Sequence, residues 1–414
     1  MNDILPQDIH YWQTLEATAE QVFSAFGFEQ IRLPLLEKTD VFIRAIGSAT
    51  DVVSKEMYSF EDRNNESLSL RPEGTAGLVR AALQNGLLYG PTRRLWYSGA
   101  MFRYERPQKG RSRQFHQIGA ELFGAPGPDA DAEILMLGTD LWRRLGLDNL
   151  RLEINSLGNS DERALYRDQL YSFLKAHRDE LDDQTNERVE RNPLRVLDSK
   201  DPKVRSLLED APLLADHLGE VSLAHYQQLK RYLDLLGIEF YANPRLVRGL
   251  DYYCHTVFEW ITDELGAQGT VCAGGRYDKL IELQGGKPWP GIGFAMGEER
   301  LVELLRQKDG IDSPLNHAYL VAVGENSTES ALKLAYDLRA GIPELRLHVN
   351  LNGGSFKAQF KRADRSNAIL ALVLGEDEIL NGQVTVKFLR SGEEQLKMSR
   401  DEALVWIRSF VEAL

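Results

Sequence analysis

Cysteine is nearly missing: Cys254 and Cys272 are the only two thiols in 414 residues. Two are too few for a disulfide framework, and their spacing is not that of a zinc site. They read as small, buried, reduced residues of a cytoplasmic protein. Long apolar runs are lacking too. The longest, Ala368 to Leu374, falls far short of the roughly 20 residues that cross a bilayer, so no membrane partner is expected. The first residues, MNDILPQDIHYWQ, hold two acids and no apolar run, which is not the pattern of a secretory signal. Positive charge is in deficit, with 49 Lys and Arg against 62 Asp and Glu, a net charge of −13. That excludes a protein that grips nucleic acid by overall charge, but not one with a local basic surface. The sequence has neither a G-x-x-x-x-G-K-[ST] phosphate loop nor a strand-linked G-x-G-x-x-G; the glycines of GIGFAMG are spaced otherwise. Low-complexity tracts and repeats at solenoid periods are also absent.

What remains is ordinary globular material, 43% apolar and 27% charged, in a chain too long for one core. Residues 8–26 place Trp12, Leu15, Ala19, Val22, Phe23 and Phe26 at helical spacing, closed by Gly27. EQIRLPLLE follows as a short strand whose Pro34 suits an edge or an interface. The pattern predicts a helix over 75–85, strands over 94–104 and 113–123 joined by a charged loop, a helix over 129–145 and a strand in LRLEINSLG. Residues 160–237 turn charged and helical, capped at Asn159 or Ser160, and read as an insertion. Strands resume across 246–273, with RGLDYY as a loop feeding Tyr253–Trp260. AGGRYDKLIELQGG is expected as a glycine turn into a short helix, and GIGFAMGEERLVELLRQ as a strand running into a helix. KDGIDSPLN (308–316) has linker composition. Beyond it, strands at 318–323, 345–351, 368–374 and 383–389 alternate with helices at 328–340, 355–364 and 400–412, implying a small, mostly parallel α/β domain.

The densest chemistry lies in MFRYERPQKGRSRQFHQIGAELFG, residues 101–124. At a period of two, Arg113, Phe115, Gln117, Gly119 and Glu121 share one face, and Met101, Arg103 and Glu105 share another. Arg106, Lys109, Arg111 and Arg113 crowd the intervening loop. A cationic loop over a polar sheet face suits a polyphosphate; the bland alternative is a solvated charged hairpin. In LRPEGTAG, Glu73 and Thr75 stand where a helix begins, which a simple cap also explains. Arg300 sits in the first turns of a helix, where it opposes the dipole.

The segments FGFEQIRLPLLE, MFRYERPQKGRSRQFHQIGAELFG and GIGFAMGEERL together resemble those of the class II aminoacyl-tRNA synthetases. LVRGLDYYCHTVFEW and AGGRYD resemble the two signature segments of the bacterial histidyl-tRNA synthetases. The likeness runs essentially end to end. It implies an α+β fold: a class II antiparallel sheet domain over 1–315, with a helical insertion at about 160–240, and an anticodon-binding α/β domain over 316–414. It also implies histidine activation by ATP, with Mg2+ and no bound organic cofactor, transfer of histidine to tRNA(His), and a homodimer joined through the Pro34 segment. By matching position, Arg103 and Arg248 take catalytic roles on the α-phosphate and also bind histidine, Arg103 through its carboxylate, and Arg103, Arg111, Arg113 and Arg300 bind ATP. Glu73, Gly74, Thr75 and Gln117 hold the backbone of the amino acid. Glu121, Tyr253 and Tyr277 line the imidazole pocket, with Tyr252 beside it. No metal ligand is assigned. The matched segments hold no Ser-His-Asp or Cys-His arrangement, and this chemistry needs none, because its rate comes from holding two anions in line. Lys357, Lys361 and Arg365 lie on one helical face with Arg362 adjacent, a local surface for tRNA phosphates or a merely solvated face. Asp251, Cys254 and His255 receive no role. Family members usually carry a segment ending in Arg-Gly before MNDILP, which implies a trimmed edge strand. The rival expectation is a histidine-binding regulatory subunit of ATP phosphoribosyltransferase. Such paralogues lack the last domain and tend to lose the arginines, whereas Arg103, Arg248, Arg300 and residues 317–414 are all present here.

Overall fold

The computed structural model describes residues 2–414 apart from 49, 89, 107–109, 200, 251, 267–268, 309 and 312–314. Lys109, Asp251 and part of the expected linker therefore lie outside the described residues. The chain forms two compact units, Met1–Ile311 and Asp312–Leu414.

An eight-stranded sheet organises the first unit. Six strands are antiparallel neighbours, in the order Arg93–Phe102, Gln114–Phe123, Gly291–Gly297, Thr270–Arg276, Cys254–Ile261 and Arg151–Ser156. A two-residue strand closes each edge in parallel, Glu29–Gln30 at one side and Tyr241–Ala242 at the other. Alternation along the strands sorts their side chains between two cores. Phe258, Trp260, Phe294 and Met296 pack with Leu15, Val22 and Phe23 of the Ile9–Ala25 helix. The Pro128–Leu145 and Glu298–Leu305 helices share that core. Leu95, Tyr97, Phe123 and Val257 instead share a core with Leu78 and Val79 of the Thr75–Gln84 helix. The insertion is helical, at Ser160–Ala176, Asp183–Arg191, Pro202–Glu209 and Glu220–Leu236. Its first helix is capped by Asn159, whose side chain accepts from the N–H groups of Asp161 and Glu162.

Three expectations need correction. EQIRLPLLE is not one strand: Glu29–Gln30 joins the main sheet, while Leu36–Lys38 joins a separate three-stranded sheet with Ser67–Leu70 and Tyr58–Glu61. Pro34 falls at the break, where its missing N–H disrupts no ladder. AGGRYD is not a turn, because the strand runs on through Arg276. Gly274 permits this, since a Cβ there would lie 2.1 Å from the Gly293 carbonyl oxygen. The C-terminal sheet is half antiparallel. Asn316–Ala322 pairs in parallel with Leu347–Val349 and Ala368–Leu374, but Gln383–Phe388 and Leu396–Ser399 follow as antiparallel neighbours. Tyr319, Val321 and Ala371 pack against Phe360 and Ala363 of the Phe356–Arg365 helix. Leu320, Leu370 and Leu372 face Leu334, Leu338 and Ile407.

Candidate active site

A cavity of about 340 Å³ opens between the arginine-bearing hairpin and the strands beside it. Its wall includes Glu73, Thr75, Arg103, Arg111, Gln117, Glu121, Arg248, Tyr252, Tyr253, Tyr277 and Arg300, residues drawn from segments more than 200 positions apart. Two of the residues that the sequence singles out lie elsewhere. Gly74 stands just before the Thr75–Gln84 helix, where a Cβ would come 2.1 Å from the Tyr97 ring; its place is set by packing. The Arg113 guanidinium lies over the Tyr104 ring, 4.1 Å from its centroid, and does not line the cavity.

The floor is built from glycines. In the sheet Glu121 is registered against Gly293, and Gly293 against Gly275. A Cβ on Gly293 would lie 1.7 Å from a Glu121 carboxylate oxygen. Only glycine leaves room for that carboxylate to lie along the sheet. The Thr75 hydroxyl donates to Glu121 at 2.6 Å, and the Tyr277 hydroxyl donates to its other oxygen. Burial pushes the Glu121 carboxyl up to about 8, against the pull of those two hydrogen bonds. Tyr277, Tyr252 and Tyr253 are raised as well, each mainly by burial. The result is an aromatic recess with a protonatable acid at its base. Glu73 accepts from the N–H groups of Thr75 at 2.8 Å and Ala76 at 2.9 Å, so it caps the helix and faces the cavity at once. Gln117 turns a buried carbonyl oxygen with no partner among the described residues toward this region.

Arginines occupy the rest of the wall. Arg103 donates through Nε to the Pro72 carbonyl at 2.9 Å and stacks on Phe115 at 5.2 Å. Arg248 pairs with Glu259 and lies 5.8 Å from the Tyr253 ring centroid. Burial opposes its charge, but Glu259 overrides that and raises it. Arg300 donates to the Thr270 carbonyl; burial, then Arg111, depress it. Arg111 is bridged to Glu105 at 3.0 Å. Such fixed guanidinium forks suit a polyphosphate and a carboxylate held together. The remaining acids of the wall are engaged: Glu259 with Arg248, Glu105 with Arg111, and Glu299 with the His116 N–H at 2.9 Å. A divalent cation carried in by a polyphosphate would meet them there.

Sequence reasoning missed Glu259, Gly293 and the supports of RGLDYY. An acid between Phe258 and Trp260 was the available signal for Glu259. The supports have no local signal. Arg195 donates to the Gly249 carbonyl at 2.8 Å, and Arg163 donates to the Tyr253 carbonyl. Both come from the insertion, which thereby fixes the loop that carries Arg248.

In the second unit Lys357, Lys361 and Arg365 are exposed along the Phe356–Arg365 helix. Arg362 is half-buried, donating to Asn350 Oδ1 at 2.8 Å and to the Gly353 carbonyl.

An antiparallel sheet edged by parallel strands, with an arginine-bearing hairpin within it and Arg300 in the first turn of the Glu298–Leu305 helix, is the catalytic fold of a class II aminoacyl-tRNA synthetase. Residues 1–301 match the family model described as histidyl-tRNA synthetase, and residues 317–410 match that of the anticodon binding domain. The chain belongs to the histidyl-tRNA synthetase family. Among solved structures it is similar to apo histidyl-tRNA synthetase of S. aureus, with 34% identity, 99% of this chain and 98% of that one covered, and a TM-score of 0.82. It shares its fold with the histidyl-tRNA synthetase of Nostoc sp. PCC 7120, at 20% identity, 99% and 98% coverage and a TM-score of 0.72. It also shares its fold with a Bacillus halodurans C protein titled ATP phosphoribosyltransferase regulatory subunit/histidyl-tRNA synthetase, at 22% identity, 91% and 96% coverage and a TM-score of 0.64.

Proposed function

We propose that this chain is a histidine–tRNA ligase, which activates L-histidine with ATP to histidyl-adenylate and pyrophosphate and then charges tRNA(His). The observation that carries this reading is one cavity in which Arg103, Arg248 and Arg300 meet Glu121, Tyr253 and Tyr277. The substrate carboxylate attacks the α-phosphate, displacing pyrophosphate. Arg103 and Arg248 hold the two anions in line and stabilise the charge of the pentacoordinate state. Arg300 and Arg111 take the remaining phosphates, and Mg2+ arrives with ATP. Glu121 and the Tyr253 hydroxyl pair with the two imidazole nitrogens, while Glu73, Thr75 and Gln117 hold the ammonium group. Any other side chain leaves buried polar groups unpaired, which gives discrimination without editing.

Residues 317–410 supply the anticodon contacts, with Lys357, Lys361 and Arg365 on tRNA phosphates. The enzyme is a cytoplasmic homodimer, and exposed Leu35 and Leu36 beside Pro34 belong to its interface. A purely regulatory, histidine-binding role is the second reading, kept in view by the Bacillus halodurans C likeness. The retained arginines and the anticodon-domain match favour the ligase. Histidine- and ATP-dependent charging of tRNA(His) tests the proposal; histidine binding without charging would support the regulatory role instead.

A further inference from the structure

We propose that Cys254, His255 and Asp278 form a binding site for a borderline divalent ion of the Zn2+ type, placed just outside the candidate active-site cavity. One ligand atom from each lies within 4.8 Å of the others, and none of the three residues lines the cavity. Ligands of a tetrahedral Zn2+, at about 2.0–2.3 Å from the ion, stand only a little closer together than this. Small side-chain rotations complete the set, with water in the fourth position.

The backbone is shaped to bring these side chains together. Neighbours along a regular strand point to opposite faces. Here Arg276 is registered against Cys254 but Gly275 against Val257, so His255 and Thr256 form a bulge. His255 has φ 47, a left-handed conformation uncommon outside glycine, which histidine, asparagine and aspartate adopt more readily than other residues. Two backbone hydrogen bonds hold it there: its N–H donates to Gly158 at 2.7 Å, and its carbonyl accepts from Leu157 at 2.6 Å. The bulge places consecutive Cys and His side chains beside Asp278, whose own N–H donates to Cys254 Sγ at 3.4 Å.

Charge and donor chemistry agree. A thiolate and a carboxylate together balance a divalent ion. The cations facing the site are already engaged, Arg276 with Asp131 and Asp278, and Arg163 with the Tyr253 carbonyl. Sulfur, imidazole nitrogen and one carboxylate suit Zn2+ or Co2+ and not Mg2+, so the ATP-borne ion does not compete. Binding breaks the Cys254 S–H bond, forms an S–metal bond and releases the proton to solvent, with no change of oxidation state. The ion would tie Cys254, next to Tyr253, to Asp278, next to Tyr277. Resting on the proposed function, its occupancy then acts on KM for histidine more than on KM for ATP.

The test uses the full-length reduced protein, free of histidine because histidine itself chelates zinc. Co2+ is titrated and its thiolate charge-transfer absorption recorded, and Zn2+ affinity is read by competition with a chromogenic chelator. The expected result is one ion per chain with a thiolate band that Cys254→Ser abolishes. Asp278→Asn and His255→Ala should each weaken Zn2+ by about 10-fold or more, as loss of even an outer partner commonly does. Circular dichroism checks that the variants fold. Absence of a thiolate band in the wild-type chain, or a band that persists in Cys254→Ser, where Cys272 is the remaining thiol, would overturn the proposal. Both readouts are independent of aminoacylation, so they stand even if the functional reading fails.

Discussion

The guanidinium of Arg248 is paired with the carboxylate of Glu259, and Glu259 in turn accepts from the Thr270 hydroxyl at 2.9 Å. Both side chains of the pair are mostly buried, 19% and 15% exposed. The arginine is thus oriented before any substrate enters, which is the kind of preorganisation electrostatic catalysis relies on. Arg248→Ala should lower ATP–pyrophosphate exchange by at least roughly 10²–10³-fold, while histidine still binds. Arg248→Lys should rescue little, because an ammonium cannot replace a planar fork. Near-normal exchange by the alanine variant, measured at saturating substrates, would refute the catalytic role.

Gly293 is expected to be as sensitive as any charged residue of the site. In Gly293→Ala the new methyl competes with the Glu121 carboxylate for the same space. Overpacking of this kind costs about 1–3 kcal/mol, and here it falls on the aromatic recess around Glu121. Calorimetric titration with histidine should show affinity at least roughly tenfold weaker; unchanged binding would mean that Glu121 does not hold the ligand.

The Glu121 carboxyl gives a pH signature. Its folded value of about 8 lies above the ordinary carboxylate value of 4.5, so the folded state holds a proton that the unfolded state has lost. Stability therefore falls as pH rises from about 4.5 to about 8 and is level beyond. Glu73 and Glu298 are raised as well, so the wild type alone does not isolate the effect. Glu121→Gln removes one titration and keeps the shape. In urea unfolding of the ligand-free protein, stability of the variant relative to wild type should increase between pH 5 and pH 8. A pH-independent difference would contradict a buried, protonated Glu121.

Each unit has its own core, Leu320, Leu370 and Leu372 anchoring the second. Deleting residues 317–414 should leave histidine-dependent exchange largely intact and weaken tRNA charging. Unchanged charging would contradict an anticodon-contacting role for this unit.

The long elements were legible because local periodicity decides them. The Ile9–Ala25 and Pro128–Leu145 helices and the Arg93–Phe102 and Gln114–Phe123 strands fall within one or two residues of the expected bounds. The period-two reading of the hairpin places Phe115, Gln117 and Glu121 on one face, and all three line the cavity. Arg113 shares that face by parity but lies beyond the strand, where it is free to stack on Tyr104. The Ser67–Leu70 strand went unseen because its alternation of serine and leucine spans only four residues; pairing with Leu36–Lys38 and Tyr58–Glu61 defines it. Gly274 looked like turn material and Gly293 like an ordinary strand residue, because their task, close approach across the sheet, depends on partners distant in sequence, Gly293 for the one and Glu121 for the other. The family resemblance named the arginines, but only the fold shows that Arg163 and Arg195 of the insertion hold the Arg248 loop.

The most direct test of the central claim is ATP–pyrophosphate exchange by the full-length chain across a panel of amino acids. Exchange stimulated by L-histidine alone, and lost in Arg248→Ala, is the predicted result. Exchange driven by another amino acid, or no exchange despite measurable histidine binding, would contradict it.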